Sequence, residues 1–278
     1  MKKIKIVADS SCDLFRLKHT EFETASMKII TAEREFIDDA DLDVDDMANY
    51  LYQFKGKSKS SCPNTTDWLE AFGDADEIYC VTITSGLSGS YNSACAAKQI
   101  YESENEGKRV HVFDTLSAGP EITLIIEKIE ECIDKDMSFE DICDCVTAYM
   151  KKTGLVFMLK SLKTFANTGR VSPIVAKLVG IASICVVGKA SDEGTLEPMH
   201  KPRGERRALE TLVGCLEKEG FKTGKISIGH CQNESAAEQL KELILAKFKN
   251  VQIEIHKFRG LCSFYAEKGG VLVGFEKA

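Results

Sequence analysis

Short apolar runs separated by polar turns set the pattern of the first half of the chain. The clearest are Ile4–Val7, Ile78–Ile83 and Val110–Phe113. Each is followed by a polar turn and then by apolar positions at three- and four-residue steps, as from Tyr91 to Tyr101. Strands that alternate with helices in this way build a parallel sheet, because each helix returns the chain to the end where the previous strand began. The pattern therefore predicts an α/β domain with a parallel sheet.

Two consecutive helical patterns then interrupt this alternation. The first covers about residues 121–135, and the second covers residues 139–152 after a Ser-x-x-Asp capping box that starts at Ser138. No strand pattern separates them, which indicates the end of the first unit. We therefore predict an N-terminal domain over residues 1–152, a C-terminal domain over residues 153–278, and a ligand site between the two domains.

The second half of the chain also has an α/β pattern. Its predicted elements are an apolar run at Leu155–Leu159, a long apolar stretch at Ile174–Val187, helices at Glu205–Glu219 and Glu234–Phe248, and strands at Lys225–Gly229 and Val251–Phe258. The last of these strands alternates apolar and polar residues, which is typical of a strand with one buried face. We expect a second α/β domain with a mixed or antiparallel sheet.

Composition and charge argue against two classes of partner. The 278 residues carry a formal net charge of -7. Nucleic-acid binding depends on clustered Lys and Arg side chains that neutralise phosphates, so this charge argues against it. No run approaches the ~20 apolar residues that cross a bilayer, and the first apolar run is too short for a signal peptide. These features predict a cytoplasmic protein without stable membrane insertion.

The 11 cysteines and 5 histidines do not form a metal-binding or disulfide pattern. The number of cysteines is odd, their positions are scattered, and the close pair Cys143 and Cys145 points in different directions on a helix. The acidic stretch 38–46 resembles a calcium loop, but Val44 and Tyr50 stand where an EF-hand loop needs Gly and Glu. The motifs of serine hydrolases, P-loop NTPases and dinucleotide-binding enzymes are absent. We therefore expect no metal, no cofactor and no catalytic residue.

Two hydroxyl-rich turns remain as candidates for chemistry. They cover residues 59–68 and 85–94, and each precedes a helical pattern. Free backbone N–H groups, hydroxyls and the positive end of a helix dipole converge there, so either turn suits an anion. Helix capping explains Ser, Thr, Asn and Gly residues as well. The second turn exceeds that need, because Gly89 would weaken the first helical turn unless another group must approach its backbone.

Six segments, spread in order over nearly the whole chain, resemble the signature segments of the DegV family of fatty-acid-binding proteins. The segments are VADSSCDL (7–14), KSSCPN (59–64), ITSGLSGSYNSA (83–94), VFDTLSAG (112–119), LKTFANTGRVS (162–172) and KPRGERRAL (201–209). The resemblance implies a two-domain α/β protein that holds one long-chain fatty acid with its tail in an apolar tunnel. It also implies that the protein does no chemistry itself and presents the acid to a separate fatty acid kinase, which phosphorylates the carboxylate for phospholipid synthesis.

The same resemblance assigns the head-group site to the two hydroxyl-rich turns. It implies that the carboxylate is held by Ser60 or Ser61 and by Ser88 or Ser90, with the amide of Gly89 close by. The tail needs apolar walls, for which the candidate segments are Leu116–Ile126, Leu155–Leu159 and Ile174–Val187. These runs suit an ordinary core equally well.

Two arginines and one tyrosine complete the site that the resemblance implies. Arg170 and Arg203 match arginines of the family's segments, where either would fix the head group or dock the kinase. For Arg170, a charge at a helix end or an ion pair between domains is equally open. Tyr265 stands where the family commonly has a histidine, and a phenol donates a hydrogen bond but carries no positive charge. Cys62 replaces a glutamine of the family pattern.

The residues alone leave two alternative functions open. The same helix N-termini would bind the phosphate of a small metabolite, which would make the protein an enzyme or a sensor. The thiol of Cys62, beside an anion site, would be reactive if positive surroundings lowered its pKa, which would make the protein a redox sensor.

Overall fold

Strands and helices alternate along the chain in a computed structural model that describes residues 2–171, 175 and 184–278. In chain order the strands are β1 (Ile4–Asp9), β2 (Glu21–Ala25), β3 (Lys28–Ile30), β4 (Glu35–Ile37), β5 (Lys59–Ser61), β6 (Glu77–Thr82), β7 (Arg109–Asp114), β8 (Thr153–Leu159), β9 (Val186–Ala190), β10 (Leu196–His200), β11 (Gly224–His230), β12 (Val251–Lys257) and β13 (Val271–Glu276). In chain order the α-helices of the described ranges are α1 (Val44–Gln53), α2 (Thr65–Phe72), α3 (Ser90–Glu104), α4 (Pro120–Ile133), α5 (Phe139–Met150), α6 (Lys163–Asn167), α7 (Glu205–Lys218), α8 (Glu234–Lys247) and α9 (Gly260–Ala266).

The first sheet has the strand order β2-β1-β6-β7, and every neighbouring pair of its strands is parallel. Alternate residues of a strand face opposite sides of the sheet. Ile6 accordingly packs in one apolar cluster with α4 and α5, whereas Val7 packs in another with α2 and α3. Burial on both faces explains why these strands are continuous apolar runs in the sequence. The predicted parallel sheet is confirmed.

The second sheet has the strand order β10-β9-β8-β13-β11-β12. Its neighbouring strands are antiparallel except for the pair β11 and β12, which is parallel. Helices α7 and α8 bury their apolar residues against one face. Helix α4, from the first half of the chain, packs against β11 and β13 on the other face. The predicted second α/β unit with a mixed sheet is confirmed.

A small antiparallel sheet of strand order β4-β3-β5 stands beside the first sheet. Helix α9, from the second half of the chain, packs against β3 and α1. Strands of the first sheet all precede residue 115, and strands of the second sheet all follow residue 152. The fold therefore has two α/β units, each of which receives a helix of the other, and a boundary at residue 152 stays a prediction.

The predicted helices agree with the structure to within a few residues at their ends. Ser138 caps α5, and its Oγ accepts a hydrogen bond from the Asp141 N–H at 3.2 Å, as the capping box predicts. The helices predicted at Glu205–Glu219 and Glu234–Phe248 are α7 and α8. The apolar stretch Ile174–Val187 lies outside the described residues at 174 and 176–183, and its last two residues begin β9.

Candidate functional site

A cavity of about 310 Å³ lies between loops of the first unit and one face of the second sheet. Strand β8 forms part of its wall with alternate residues. Leu155, Phe157 and Leu159 line the cavity, whereas Val156 and Met158 point into the core beneath α7 and α8. The predicted wall at Leu155–Leu159 therefore contributes through one face of the strand.

The other apolar walls come from parts of the chain that are far apart in sequence. They are Met27, Ile83, Leu87, Leu116, Ala118, Phe165, Ala190, Leu196, Leu261, Ala266 and Leu272. Of the predicted wall Leu116–Ile126, only the first three residues line the cavity, and Ile122, Ile125 and Ile126 belong to the core beneath the first sheet. The described residues of Ile174–Val187 are not among those that line it.

Tyr265, Ser60 and Arg170, all predicted to bind the head group, lie close together at the cavity. Tyr265 Oη and Ser60 Oγ are 2.8 Å apart and share a hydrogen bond. The guanidinium carbon of Arg170 lies 5.7 Å from the centroid of the Tyr265 ring. Ser61 and Ser88 also line the cavity. Among the lining residues that the structure describes, Arg170 is the only charged side chain, so this cavity suits an amphiphile with one negative charge.

The two hydroxyl-rich turns are in direct contact. A Cβ placed on Gly89 would lie 3.3 Å from Cys62 Sγ, which is tighter than about nine in ten such contacts in proteins. Ser93 Oγ donates a hydrogen bond to the carbonyl of Pro63 at 2.8 Å. The first turn therefore approaches Gly89 closely, and Ser60, Ser61 and Ser88 lie around one opening.

Helix capping does not account for the serines of the first turn. Ser60 and Ser61 belong to β5, although the sequence predicted a turn there. Helix α2 is capped by Asn64, whose side chain accepts hydrogen bonds from the N–H groups of Thr66 at 2.7 Å and Asp67 at 3.1 Å. The hydroxyl of Ser61 donates to the carbonyl of Cys62 at 3.2 Å. Because Asn64 performs the cap, both serine hydroxyls are free of that role.

The structure gives Ser90 and Arg203 different surroundings from the other predicted site residues. Ser90 is fully buried and donates from Oγ to Asp9 Oδ2 at 2.6 Å. The Ile83 N–H donates to the same oxygen at 2.9 Å, and burial raises the pKa of Asp9 while these hydrogen bonds oppose the rise. Ser90 thus anchors its loop to β1. Arg203 is exposed, pairs with Ile184 in a single β-bridge, and does not line the cavity.

Arg170 is held at the cavity by backbone carbonyls. Its Nε donates to the carbonyl of Leu87 at 3.2 Å, and its Nη1 donates to the carbonyl of Thr168 at 3.0 Å. No Asp or Glu of the described ranges forms an ion pair with it. The ion pair that the sequence left open is therefore not formed with any described residue, and the positive charge of Arg170 remains available to an anion.

Helix α9 carries Tyr265 to the cavity, and the first unit fixes the start of this helix. The carboxylate of Asp38 accepts hydrogen bonds from the N–H groups of Gly260 at 2.7 Å and Leu261 at 2.8 Å. Arg259 Nε lies 3.5 Å from Asp38 Oδ1, and both side chains are almost fully buried. Burial raises the pKa of Asp38, and the guanidinium opposes this rise. Asp38, from the first half of the chain, therefore positions Tyr265, from the second half, at the cavity.

The turn between β9 and β10 closes one side of the cavity, and sequence reasoning missed it. Thr84 Oγ1 donates to the carbonyl of Gly194 at 2.9 Å. Gly194 has a φ of +70°, and a Cβ on it would overlap Thr84 Oγ1. A Cβ on Gly86 would lie 2.6 Å from the carbonyl oxygen of Glu193. Glycines in the sequence indicate a turn here, but no local pattern shows which loop this turn packs against.

The environment of Cys62 opposes the redox hypothesis. Burial raises the pKa of the Cys62 thiol, and the charge of Arg170 lowers it by a smaller amount. A reactive thiolate required a lowered pKa. The thiol therefore contributes a small, weakly polar surface to the site.

The described ranges contain neither a group of metal ligands nor a helix that could span a membrane. Within residues 2–171, 175 and 184–278, no three His, Cys, Asp or Glu side chains are placed together to hold a metal ion. The helices of the same ranges are each too short or too polar to cross a bilayer.

Comparison with known proteins places this geometry in a family. The family model described as "Uncharacterised protein, DegV family" matches residues 3–278. A DegV domain-containing protein of Streptococcus pneumoniae is 42% identical over 276 residues, which cover 98% of each chain. The solved structure of a DegV family protein from Eubacterium eligens loaded with heptadecanoic acid has a TM-score of 0.96 and 41% identity, over 99% of this chain and 100% of that chain. The Streptococcus pneumoniae fatty acid kinase (Fak) B3 protein loaded with linoleic acid has a TM-score of 0.96 and 42% identity, over 99% of both chains. This chain therefore belongs to the DegV family.

Proposed function

We propose that the protein binds one long-chain fatty acid in its cavity and presents the acid to a separate fatty acid kinase. The observation that carries the proposal is the distribution of charge in the cavity. Its described walls are mainly apolar, and their only charged side chain, Arg170, lies beside the hydroxyls of Ser60 and Tyr265. A carboxylate at this polar end and an acyl chain along the apolar walls match that distribution.

The apolar chain supplies most of the affinity in this proposal. Burial of roughly 15 methylenes contributes on the order of 12 kcal/mol before the costs of association. Each hydroxyl contact with an ionised head group adds about 1.5 kcal/mol or somewhat more. These contacts still decide the orientation, because a carboxylate without partners in the apolar part of the cavity would cost several kcal/mol.

Two relatives support the ligand and the partner. The Eubacterium eligens protein holds heptadecanoic acid, and the Fak B3 protein holds linoleic acid, at 41% and 42% identity to this chain. The name of the second protein supports a fatty acid kinase as the partner here. In this proposal the protein is a carrier, and the transfer of phosphate to the carboxylate belongs to the kinase.

The proposal includes the domain organisation and the location expected from the sequence. Residues 1–152 and 153–278 form its two domains, and both ranges contribute residues to the lining of the cavity. Ligand exchange would then involve surfaces of both domains. Limited proteolysis near residue 152 tests the boundary, and cell fractionation tests the cytoplasmic location.

Native mass spectrometry of the gently purified protein, followed by lipid extraction, tests the ligand. We expect one acyl chain for each protein molecule, and we expect heptadecanoic acid to rebind after delipidation. The methyl ester of the same acid is the matched control, because it keeps the tail and removes the negative charge. Recovery of a protein without lipid that also fails to bind added long-chain acids contradicts the proposal.

A kinase assay tests the partner separately. A fatty acid kinase with ATP should form acyl phosphate from heptadecanoic acid faster when this protein is added. If the protein binds the acid but does not accelerate this reaction, the proposed carrier function would stand and the proposed kinase partner would be wrong. Phosphate or sugar phosphates that raise the melting temperature, when long-chain acids do not, would instead favour the alternative of a phosphorylated metabolite.

A further inference from the structure

Two cysteine side chains touch each other where α4 and α5 pack together, away from the cavity. Cys132 Sγ and Cys145 Sγ are 3.6 Å apart, and both thiols are free. Cys132 lies in the last turn of α4, and Cys145 lies midway along α5. A disulfide bond has a length of about 2 Å, so the two sulfurs must approach each other by roughly 1.6 Å to form it.

The two sulfurs differ in their access to solvent. Cys132 is 1% exposed, whereas Cys145 is partly exposed. Burial raises the pKa of the Cys132 thiol to about 11. The more exposed Cys145 sulfur is therefore the one that a small oxidant reaches first, and the Cys132 sulfur lies directly behind it.

We propose that Cys132 and Cys145 are a reversible disulfide modification site that a low-molecular-weight disulfide, such as oxidised glutathione, oxidises. The Cys145 thiolate attacks one sulfur of the small disulfide, forms a mixed disulfide and releases one small thiolate. Cys132 then gives its proton to solvent and attacks the Cys145 sulfur, which releases the second small thiol. The two protein thiols lose two electrons in total, and the small disulfide is reduced to two thiols.

The position of the pair determines what the bond would change. Helix α4 packs between the two sheets, and its first turn follows the residues Ser117 and Ala118 that line the cavity. The thiols lie at the opposite end of the helix, so the bond fastens α4 to α5 without a contact to the ligand. Oxidation should stabilise the fold, because the crosslink restricts the unfolded chain, and should leave the affinity for fatty acid unchanged.

The test treats the full-length, reduced protein with oxidised glutathione and maps the cysteines with trypsin. Cleavage after Lys128, Lys135 and Lys151 separates the peptide of Cys132 from the peptide that carries both Cys143 and Cys145. We expect the intact chain to lose two hydrogen atoms and the two peptides to be linked. We also expect the melting temperature to rise by about 5 °C on oxidation.

Two variants assign the bond within the linked peptides. Cys143→Ser is the matched control on the same helix, and it should retain the link and the rise in melting temperature. Cys145→Ser should lose both. Glutathione that remains on Cys145, a linked peptide that persists in Cys145→Ser, or no link at all would overturn the proposal. If Cys145→Ser does not fold, the peptide map of the wild type and of Cys143→Ser decides the question.

Discussion

The hydrogen bond between Tyr265 and Ser60 joins α9 to β5 at the polar end of the cavity, so its removal tests the head-group site directly. The two oxygens are 2.8 Å apart. The substitution Tyr265→Phe removes one oxygen and keeps the ring, whose centroid lies 4.8 Å from that of Phe165 and 4.9 Å from that of Phe264. The apolar wall therefore keeps its shape, and the change is confined to the polar end.

The expected loss follows from one hydrogen bond to a charged group. Such a bond contributes about 1.5 kcal/mol, which corresponds to a roughly tenfold change in the dissociation constant. The contribution of the tail, on the order of 12 kcal/mol before the costs of association, is unaffected. Tyr265→Phe should therefore weaken the binding of heptadecanoic acid about tenfold without abolishing it. Because Ser60 and Tyr265 share a hydrogen bond, the effects of Ser60→Ala and Tyr265→Phe should not be additive in the double variant.

Titration calorimetry with heptadecanoic acid and with its methyl ester measures this effect. The acid should bind Tyr265→Phe about tenfold more weakly, and the ester should bind the variant and the wild type equally. Tyr52→Phe is the matched control, since Tyr52 lies on α1, is 73% exposed and does not line the cavity. Equal weakening for acid and ester would mean that the hydroxyl supports the cavity wall. An unchanged affinity for the acid would refute the head-group assignment.

Three further changes test the stability of the fold and the shape of the cavity. Asp38→Asn leaves a buried guanidinium without its charged partner and should lower the free energy of unfolding by about 3 kcal/mol in urea titrations. Gly194→Ala should displace the turn that closes the cavity, because its Cβ would overlap a neighbouring side chain at a φ of +70°, and should weaken acid binding severalfold in calorimetry. Burial lowers the pKa of His256 to about 4, against about 6.5 in an unfolded chain. The stability that this neutral imidazole contributes is complete above about pH 6.5 and is lost as the pH falls towards 4, by up to about 3 kcal/mol. Urea titrations at several pH values should show a smaller loss in His256→Gln.

Each of these three predictions has its own control and its own contradicting result. Asp41→Asn changes an exposed acid near Asp38 and should leave the free energy of unfolding unchanged. An equal loss of this free energy in both variants would show that the buried pair of Asp38 and Arg259 has no special role. Gly107→Ala also has a positive φ, but its Cβ would have no neighbour within 4 Å, so it separates backbone strain from contact with the cavity. Wild-type and His256→Gln proteins with the same pH dependence would show that other groups, such as the buried carboxyls, control acid stability.

The apolar pattern predicted the architecture well because it reflects which faces of each strand and helix are buried. A strand buried on both faces is mainly apolar, as at residues 78–81 of β6. A helix on its face repeats apolar residues every three or four positions, as in α4. Strands β1, β6, β7, β8, β11 and β12, the parallel first sheet and the mixed second sheet follow from that. Strands β2–β5, β9, β10 and β13 were not predicted from it. What the pattern lacks is the partner of each side chain, since hydrogen bonds between halves of the chain leave no local signal.

The candidate site shows which contacts the sequence does not predict. Ser60 and Tyr265 were both predicted, yet the hydrogen bond between them depends on Asp38, which caps α9 from the other half of the chain. Ser90 has the same residue type and turn as Ser88, but a buried carboxylate at Asp9 takes its hydroxyl. A serine in a turn is therefore a site residue only where no nearer acceptor competes for it, and that is decided by tertiary contacts.

The phenol of Tyr265 has a consequence for how charge would be balanced in the cavity. A phenol donates a hydrogen bond but carries no positive charge, so it orients a carboxylate without neutralising it. In the proposed function, neutralisation of the carboxylate would fall to Arg170, whose guanidinium hydrogen-bonds only to carbonyls among the described residues. No Asp or Glu of the described residues forms an ion pair with it, so an incoming carboxylate would be its charged partner. In that proposal, Arg170 would supply the positive charge at the polar end, and the surrounding hydroxyls would orient the carboxylate.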